Sequence, residues 1–170
     1  KANMRMFFNA PVGDIFVGES GTELLFRLIM NAVLGAEDGG VVLGSTLEHP
    51  ATRSACTRWA KVAGKPYIQV AHNNVTGAVT AEDYKPYLTP DIRVATILHT
   101  SPVTGMGVDV ASVAAAIRAV APKALIIVDG IQHASHGLID IAGYDIDGYV
   151  ISPYKVFSRH GYGVAWTSPT

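Results

Sequence analysis

Apolar runs alternate along this chain with stretches whose apolar positions recur at helical spacing. That alternation predicts an α/β fold built on a mainly parallel, seven-stranded sheet with helices on both faces. The strand-like runs fall at residues 14–18, 41–43, 67–70, 94–99, 124–128, 148–151 and 164–167. Between them, residues 22–34 place Leu24, Leu25, Leu28, Ile29, Ala32 and Val33 on one helical face, ending near Gly35. Residues 50–63 form a second helix, opened by Pro50 and stopped by Gly64. A short helix is expected at 81–87. A longer one is expected at 109–120, with Asp109 near its start and Pro122 beyond its end. Asn73-Asn74-Val75-Thr76-Gly77 reads as a turn. There is no internal repeat, low-complexity tract or linker, so residues 1–170 are expected to form one domain.

Composition narrows the class. Of 170 residues, 49% are hydrophobic and 16% charged, which describes a globular chain able to bury a core. Thirteen basic and fourteen acidic side chains balance, and no basic stripe with interleaved aromatics suggests nucleic acid. Cys56 is the only cysteine, which excludes an internal disulfide and suits a reducing compartment. No apolar run is long enough to cross a bilayer. Asn9, Pro11 and Asp14 interrupt the N-terminal apolar residues too soon for a signal peptide. A cytoplasmic protein is the expectation. The chain begins with Lys and stops at Ser168-Pro169-Thr170, so it is also expected to be part of a longer polypeptide.

Polar groups gather where the strands end. The run 124–128 leads into Asp129-Gly130-Ile131-Gln132, and the run 148–151 into Ser152-Pro153-Tyr154-Lys155. Ligands of open α/β sheets bind at that carboxyl edge. A lysine past an apolar strand is partly desolvated, which favours its free amine; a surface lysine lying along the sheet is the plainer reading. Asp129 ends a strand buried on both faces, where a carboxylate needs a partner; a turn cap is the alternative. Ser20-Gly21-Thr22-Glu23 opens a helix, giving either a phosphate site or a capping box. In Glu48-His49-Pro50-Ala51, His49 could lie against a planar ring, or be a satisfied structural histidine. An acid facing an amine across this edge is what a pyridoxal phosphate enzyme needs.

Taken in order, Gly21-Thr22-Glu23, Glu48-His49-Pro50-Ala51, Asp129-Gly130-Ile131-Gln132 and Ser152-Pro153-Tyr154-Lys155 resemble the class V aminotransferase family. That family has the fold-type I architecture and includes cysteine desulfurases, selenocysteine lyases and isopenicillin N epimerases. The resemblance implies pyridoxal 5'-phosphate as cofactor, an amino acid as substrate and a homodimer. It implies that Lys155 forms the Schiff base, that Asp129 pairs with the pyridine nitrogen, and that Gln132 contacts the phenolic oxygen. His49 would stack on the ring. Gly21, Thr22 and Ser152 would hold the phosphate, with Tyr154 standing where many desulfurases place a histidine. The expected catalytic residues are therefore Lys155, His49 and Asp129. Pro102 falls where desulfurases usually carry Asn, wording closer to the epimerase-like and lyase-like members. Family members are more than twice this length, so the chain is expected to be a large domain without its C-terminal small domain.

Other motifs compete less well. Ser152-x-x-Lys155 lacks the companion elements of penicillin-binding enzymes. Gly105-x-Gly107 lacks a third glycine, and His133-x-x-His136 lacks a third metal ligand. An inactive fragment or scaffold that retains the fold is the alternative of a different class.

Overall fold

In the computed structural model the described residues are 1–36 and 39–169; Thr170, the expected end of the domain, lies outside them. Seven strands form one sheet: β1 (Asp14–Gly18), β2 (Val41–Ser45), β3 (Tyr67–Val70), β4 (Ile92–Leu98), β5 (Leu125–Asp129), β6 (Gly148–Ile151) and β7 (Gly163–Thr167). Their order is β1-β7-β6-β5-β4-β2-β3. The block from β6 to β3 is parallel, whereas β7 runs antiparallel to both of its neighbours, β6 and β1. The sheet is thus mainly parallel, as the sequence predicts.

Around it lie α1 (Ala2–Phe7), α2 (Gly21–Gly35), α3 (Pro50–Val62), α4 (Ala81–Tyr84) and α5 (Val110–Val120). Strand periodicity sorts the core into two layers. On β5, Ile127 faces α2 and α3, while Ile126 and Val128 face the layer that contains α5. On β6, Val150 joins the first layer, and Tyr149 and Ile151 the second. The α2–α3 layer packs Leu25, Ile29, Val33, Ala55 and Cys56 against the sheet; the opposite layer packs Val113, Ala114 and Ile117. Helices cover both faces, which explains why the parallel strands read as unbroken apolar runs.

Local chemistry fixes where these helices start. Ser20 caps α2, its Oγ accepting from the Glu23 N–H at 3.0 Å. Glu23 itself pairs with Arg27, so the expected reciprocal box becomes a single cap plus an i,i+4 ion pair. Asp109, the first residue of the expected helix, instead caps α5 through the Ser112 N–H, so the helix begins one residue later. The expected helix 81–87 divides into α4 and a 3-10 turn at Lys85–Tyr87, where Pro86 cannot donate a helical hydrogen bond. The helix α1 had no sequence signal: it spans six residues and buries none of them. Among the described residues, no helix is long and apolar enough to cross a membrane.

Connectivity positions the site. From β2 the chain moves outward to β3, whereas from β4 it moves the other way to β5. The carboxyl ends of β2 and β4 therefore flank the crevice that forms where strand order reverses.

Candidate active site

A cavity of about 240 Å³ opens at this carboxyl edge, lined by residues from five strand ends. The junction after β1 contributes Ser20 and Thr22, and the one after β2 contributes His49. From β4 and the loop beyond it come Leu98 and Pro102. Asp129, Ile131 and Gln132 follow β5, and Ser152, Tyr154 and Lys155 follow β6. Every side chain expected from the sequence is thus gathered here, and Gly21 packs against Ser152 and Ile131 beside them.

Lys155 is half-buried on a 3-10 turn, Pro153–Val156, and its Nζ donates to Gln132 Oε1 at 2.7 Å. The hydrogen bond joins the two loops and fixes the amine over the cavity. Tyr154 sits at the rim, 42% exposed, and its ring stacks on His160 with centroids 4.6 Å apart. His49 is the N-cap of α3, and its Nδ1 accepts from the Ala51 N–H at 3.1 Å. With Nδ1 an acceptor, the neutral ring carries its proton on Nε2. The capping role and the cavity-lining role hold together.

Asp129 is buried at the floor. Its Oδ2 accepts from Thr52 Oγ1 at 3.0 Å and its Oδ1 from the Ile131 N–H at 3.1 Å. Burial pushes its pKa up; the Ile131 and Thr52 hydrogen bonds, His49 and Lys155 oppose that shift. A carboxylate held this way favours a cation above it.

The other end of the cavity is shaped by absent side chains. A Cβ on Gly21 would lie closer than 3.0 Å to Ser152 Oγ and to Ile131 Cδ1. One on Gly163 would collide with the backbone of Ser20 and Gly21. The start of α2 is thereby pressed against β7 and Ser152. Its first-turn N–H groups lack intrahelical acceptors, the Glu23 N–H bonding Ser20 Oγ instead, and a helix start beside a serine is a corner that can take an anion.

Sequence reasoning left several participants without a role. Thr52 heads the buried stripe of α3 that continues through Ala55, Cys56 and Ala60; a polar residue on an apolar stripe was the available signal. Glu48 is 2% exposed, its Oε1 accepting from Thr96 Oγ1 at 3.3 Å, while its Oε2 has no hydrogen-bond partner. Burial first, then the charge of Asp129, pushes its pKa up to about 8. Behind the Asp129 turn, Tyr149 bonds His99 Nδ1 at 2.7 Å, and His99 stacks on His133 with centroids 3.3 Å apart. His133 is occupied by Thr100 and the Leu138 carbonyl, which accounts for the histidine pair without a metal. No metal-ligating cluster occurs among the described residues. Cys56 is buried beside Thr96, and burial pushes its thiol up to about 12.

Comparison with known proteins agrees with this fold. The cysteine desulfurase-like protein ustD of Aspergillus flavus is 29% identical across 94% of this chain, which spans 37% of that protein. The nonribosomal peptide synthetase-like enzyme fsqF of Aspergillus fumigatus is 32% identical over 94% of the chain, which spans 11% of it. The fold matches that of the cysteine desulfurase CsdA of Escherichia coli with a TM-score of 0.88 at 24% identity; 98% of this chain and 42% of that one superpose. The chain therefore spans less than half the length of these relatives. The aminotransferase class-V family model matches residues 1–170, and the chain belongs to that family of pyridoxal phosphate-dependent enzymes.

Proposed function

We propose that this chain is the cofactor-binding large domain of a pyridoxal phosphate enzyme acting on an amino acid, of the cysteine desulfurase-like or lyase-like kind. The observation that carries the proposal is the convergence of the Lys155 amine, the buried Asp129 carboxylate and the glycine-lined anion corner in one cavity. The residues present fit the cofactor. Gly21 lets the start of α2 close against Ser152 and Ile131 as no other residue would, and Asp129 is a buried carboxyl that accepts from two neutral donors, Thr52 and the Ile131 N–H.

Lys155 is the amine for the cofactor aldehyde. Asp129 would pair with the ring nitrogen, His49 would lie on the ring, and Gln132 would reach the phenolic oxygen. Gly21, Thr22, Ser152 and Tyr154 would hold the phosphate. When bound, the cofactor serves as an electron sink for bonds at the amino acid Cα. Every other contribution belongs to the protein. Gln132 holds the Lys155 Nζ at the mouth, where a freed amine can take or return a proton. The Ile131 N–H and Thr52 oppose protonation of the Asp129 carboxylate and fix its orientation. Leu98, Pro102 and Ile131 line the cavity with apolar surface, which limits water around the amine. Pro102 presents no donor where desulfurases carry an amide, leaving Gln132 as the polar contact on that side and favouring a lyase-like or epimerase-like course. A homodimer and a reducing, cytoplasmic setting belong to the same proposal, the latter supported by the single buried Cys56.

Reduction with borohydride after addition of pyridoxal phosphate tests the reading. Mass spectrometry is expected to find the adduct on Lys155, and Lys155→Ala to abolish it. Labelling confined to any other lysine would overturn the assignment. Turnover of cysteine against other amino acids, measured on the full-length protein, then tests the substrate class.

A further inference from the structure

Directly behind the cavity floor lies a second buried carboxyl. Glu48 follows β2 and precedes His49, packed where five elements meet. Thr96 on β4 donates to its Oε1 at 3.3 Å, and its Oε2 finds no partner. The groups facing it are mostly acidic or neutral: Asp129 at the end of β5, Cys56 on α3, Tyr67 on β3 and Tyr84 on α4. Arg53 on α3 is the one cation acting on it among the described residues, and it is the weakest influence. An ionised carboxylate here would be desolvated, half-satisfied and beside another anion, and each of these penalises charge.

We propose that Glu48 is a positioning residue that acts as a buried neutral acid, so that Asp129 is the only carboxylate under the ring and keeps its charge for the cofactor. A neutral Glu48 needs no counter-ion in the α3–sheet layer and places no second anion next to Asp129. An ionised one would raise the proton affinity of Asp129, and one of the two carboxyls would then hold a proton. Neutrality is thus set in the second residue so that ionisation can be kept in the first. The role rests on the cofactor reading of the site given above.

Glu48→Gln keeps the shape and the acceptor for Thr96 but cannot ionise. Because folding raises the Glu48 pKa from 4.5 to about 8, the folded state holds the proton more tightly between those values. Wild-type stability therefore falls as pH rises through that window, and the loss is complete above it. Relative to E48Q, the wild-type folded-to-unfolded ratio is expected to drop about tenfold per pH unit there. Denaturant melts of both proteins from pH 5 to 9, without cofactor, read this directly. Pyridoxal phosphate binding gives the second readout. Each unit by which the ring cation lowers the Glu48 pKa tightens wild-type binding about tenfold across the titration, and E48Q lacks that component. A constant stability gap between the two proteins across pH 5 to 9 overturns the neutral acid. Uptake of cofactor with identical pH profiles overturns the positioning role alone. No uptake by either protein overturns the cofactor reading of Lys155, and this role with it.

Discussion

Gly130→Ala tests how tightly the Asp129 turn is built. Gly130 does not have a positive φ, so alanine is conformationally allowed and any cost is steric. The added Cβ would lie closer than 3.0 Å to Cε1, Cζ and Oη of Tyr149, whereas ordinary contacts begin near 3.4 Å. The ring cannot swing away freely. Tyr149 is fully buried, its hydroxyl is bonded to His99 at 2.7 Å, and His99 is stacked on His133. Either the ring or the Asp129–Gln132 turn must shift by about 1 Å, a typical overpacking strain of about 1–3 kcal/mol. For a domain of this size 2 kcal/mol lowers Tm by roughly 4–8 °C. Urea unfolding of G130A, Tyr149→Leu and the double variant separates the steric term from others. The double variant is expected to cost about 1–2 kcal/mol less than the sum of the singles, because the leucine leaves room for the new methyl. Strict additivity, or a G130A protein within about 0.5 kcal/mol of wild type, would refute the claim that Tyr149 and Gly130 share one space.

Thr52→Ala removes the hydroxyl donor from a buried carboxylate and is expected to destabilise the domain by about 1–3 kcal/mol, with Thr52→Ser largely restoring it; chemical denaturation of the three proteins checks this. Burial, and then the neighbouring His133, push the His99 pKa down to about 3 from an ordinary 6.5. The fold therefore prefers the neutral ring, and stability present above pH 6.5 is lost as pH falls toward 3. His99→Gln is expected to flatten that acid limb in circular-dichroism melts, and an unchanged acid limb would count against the buried pair.

Much of this was legible because strands buried on both faces announce themselves. Residues 124–128 and 148–151 could hardly be anything else, and a parallel sheet aligns their carboxyl ends, so Asp129 and Lys155 had to be close. The Ser20 cap and the helix starts near Pro50 and Asp109 were equally local signals, whereas the capping role of His49 was not. Contacts that depend on long-range packing were not legible. Nothing near Gly130 in sequence indicates that Tyr149 fills the space below it. The close approach of Gly163 to the start of α2 joins residues more than a hundred positions apart. Glu48 stands in the Glu48-His49-Pro50-Ala51 motif, but its role depends on what surrounds it in space: Thr96, Tyr84 and Asp129. The short α1 escaped because six residues without a buried face carry no periodicity.

The pairing of β1 with β7, Asp14 opposite Thr167, joins the first strand of the sheet to the last. On a ribosome, β1 and the helix it launches must wait until residues 163–167 have been made before their partner strand emerges. Only then can Gly163 seat the start of α2 and complete the corner beside Ser152. Nascent chains arrested before Gly163 would hold Lys155, Asp129 and Gln132 yet lack the close contact that seats the start of α2. Completion of that end of the sheet thereby waits on its last strand.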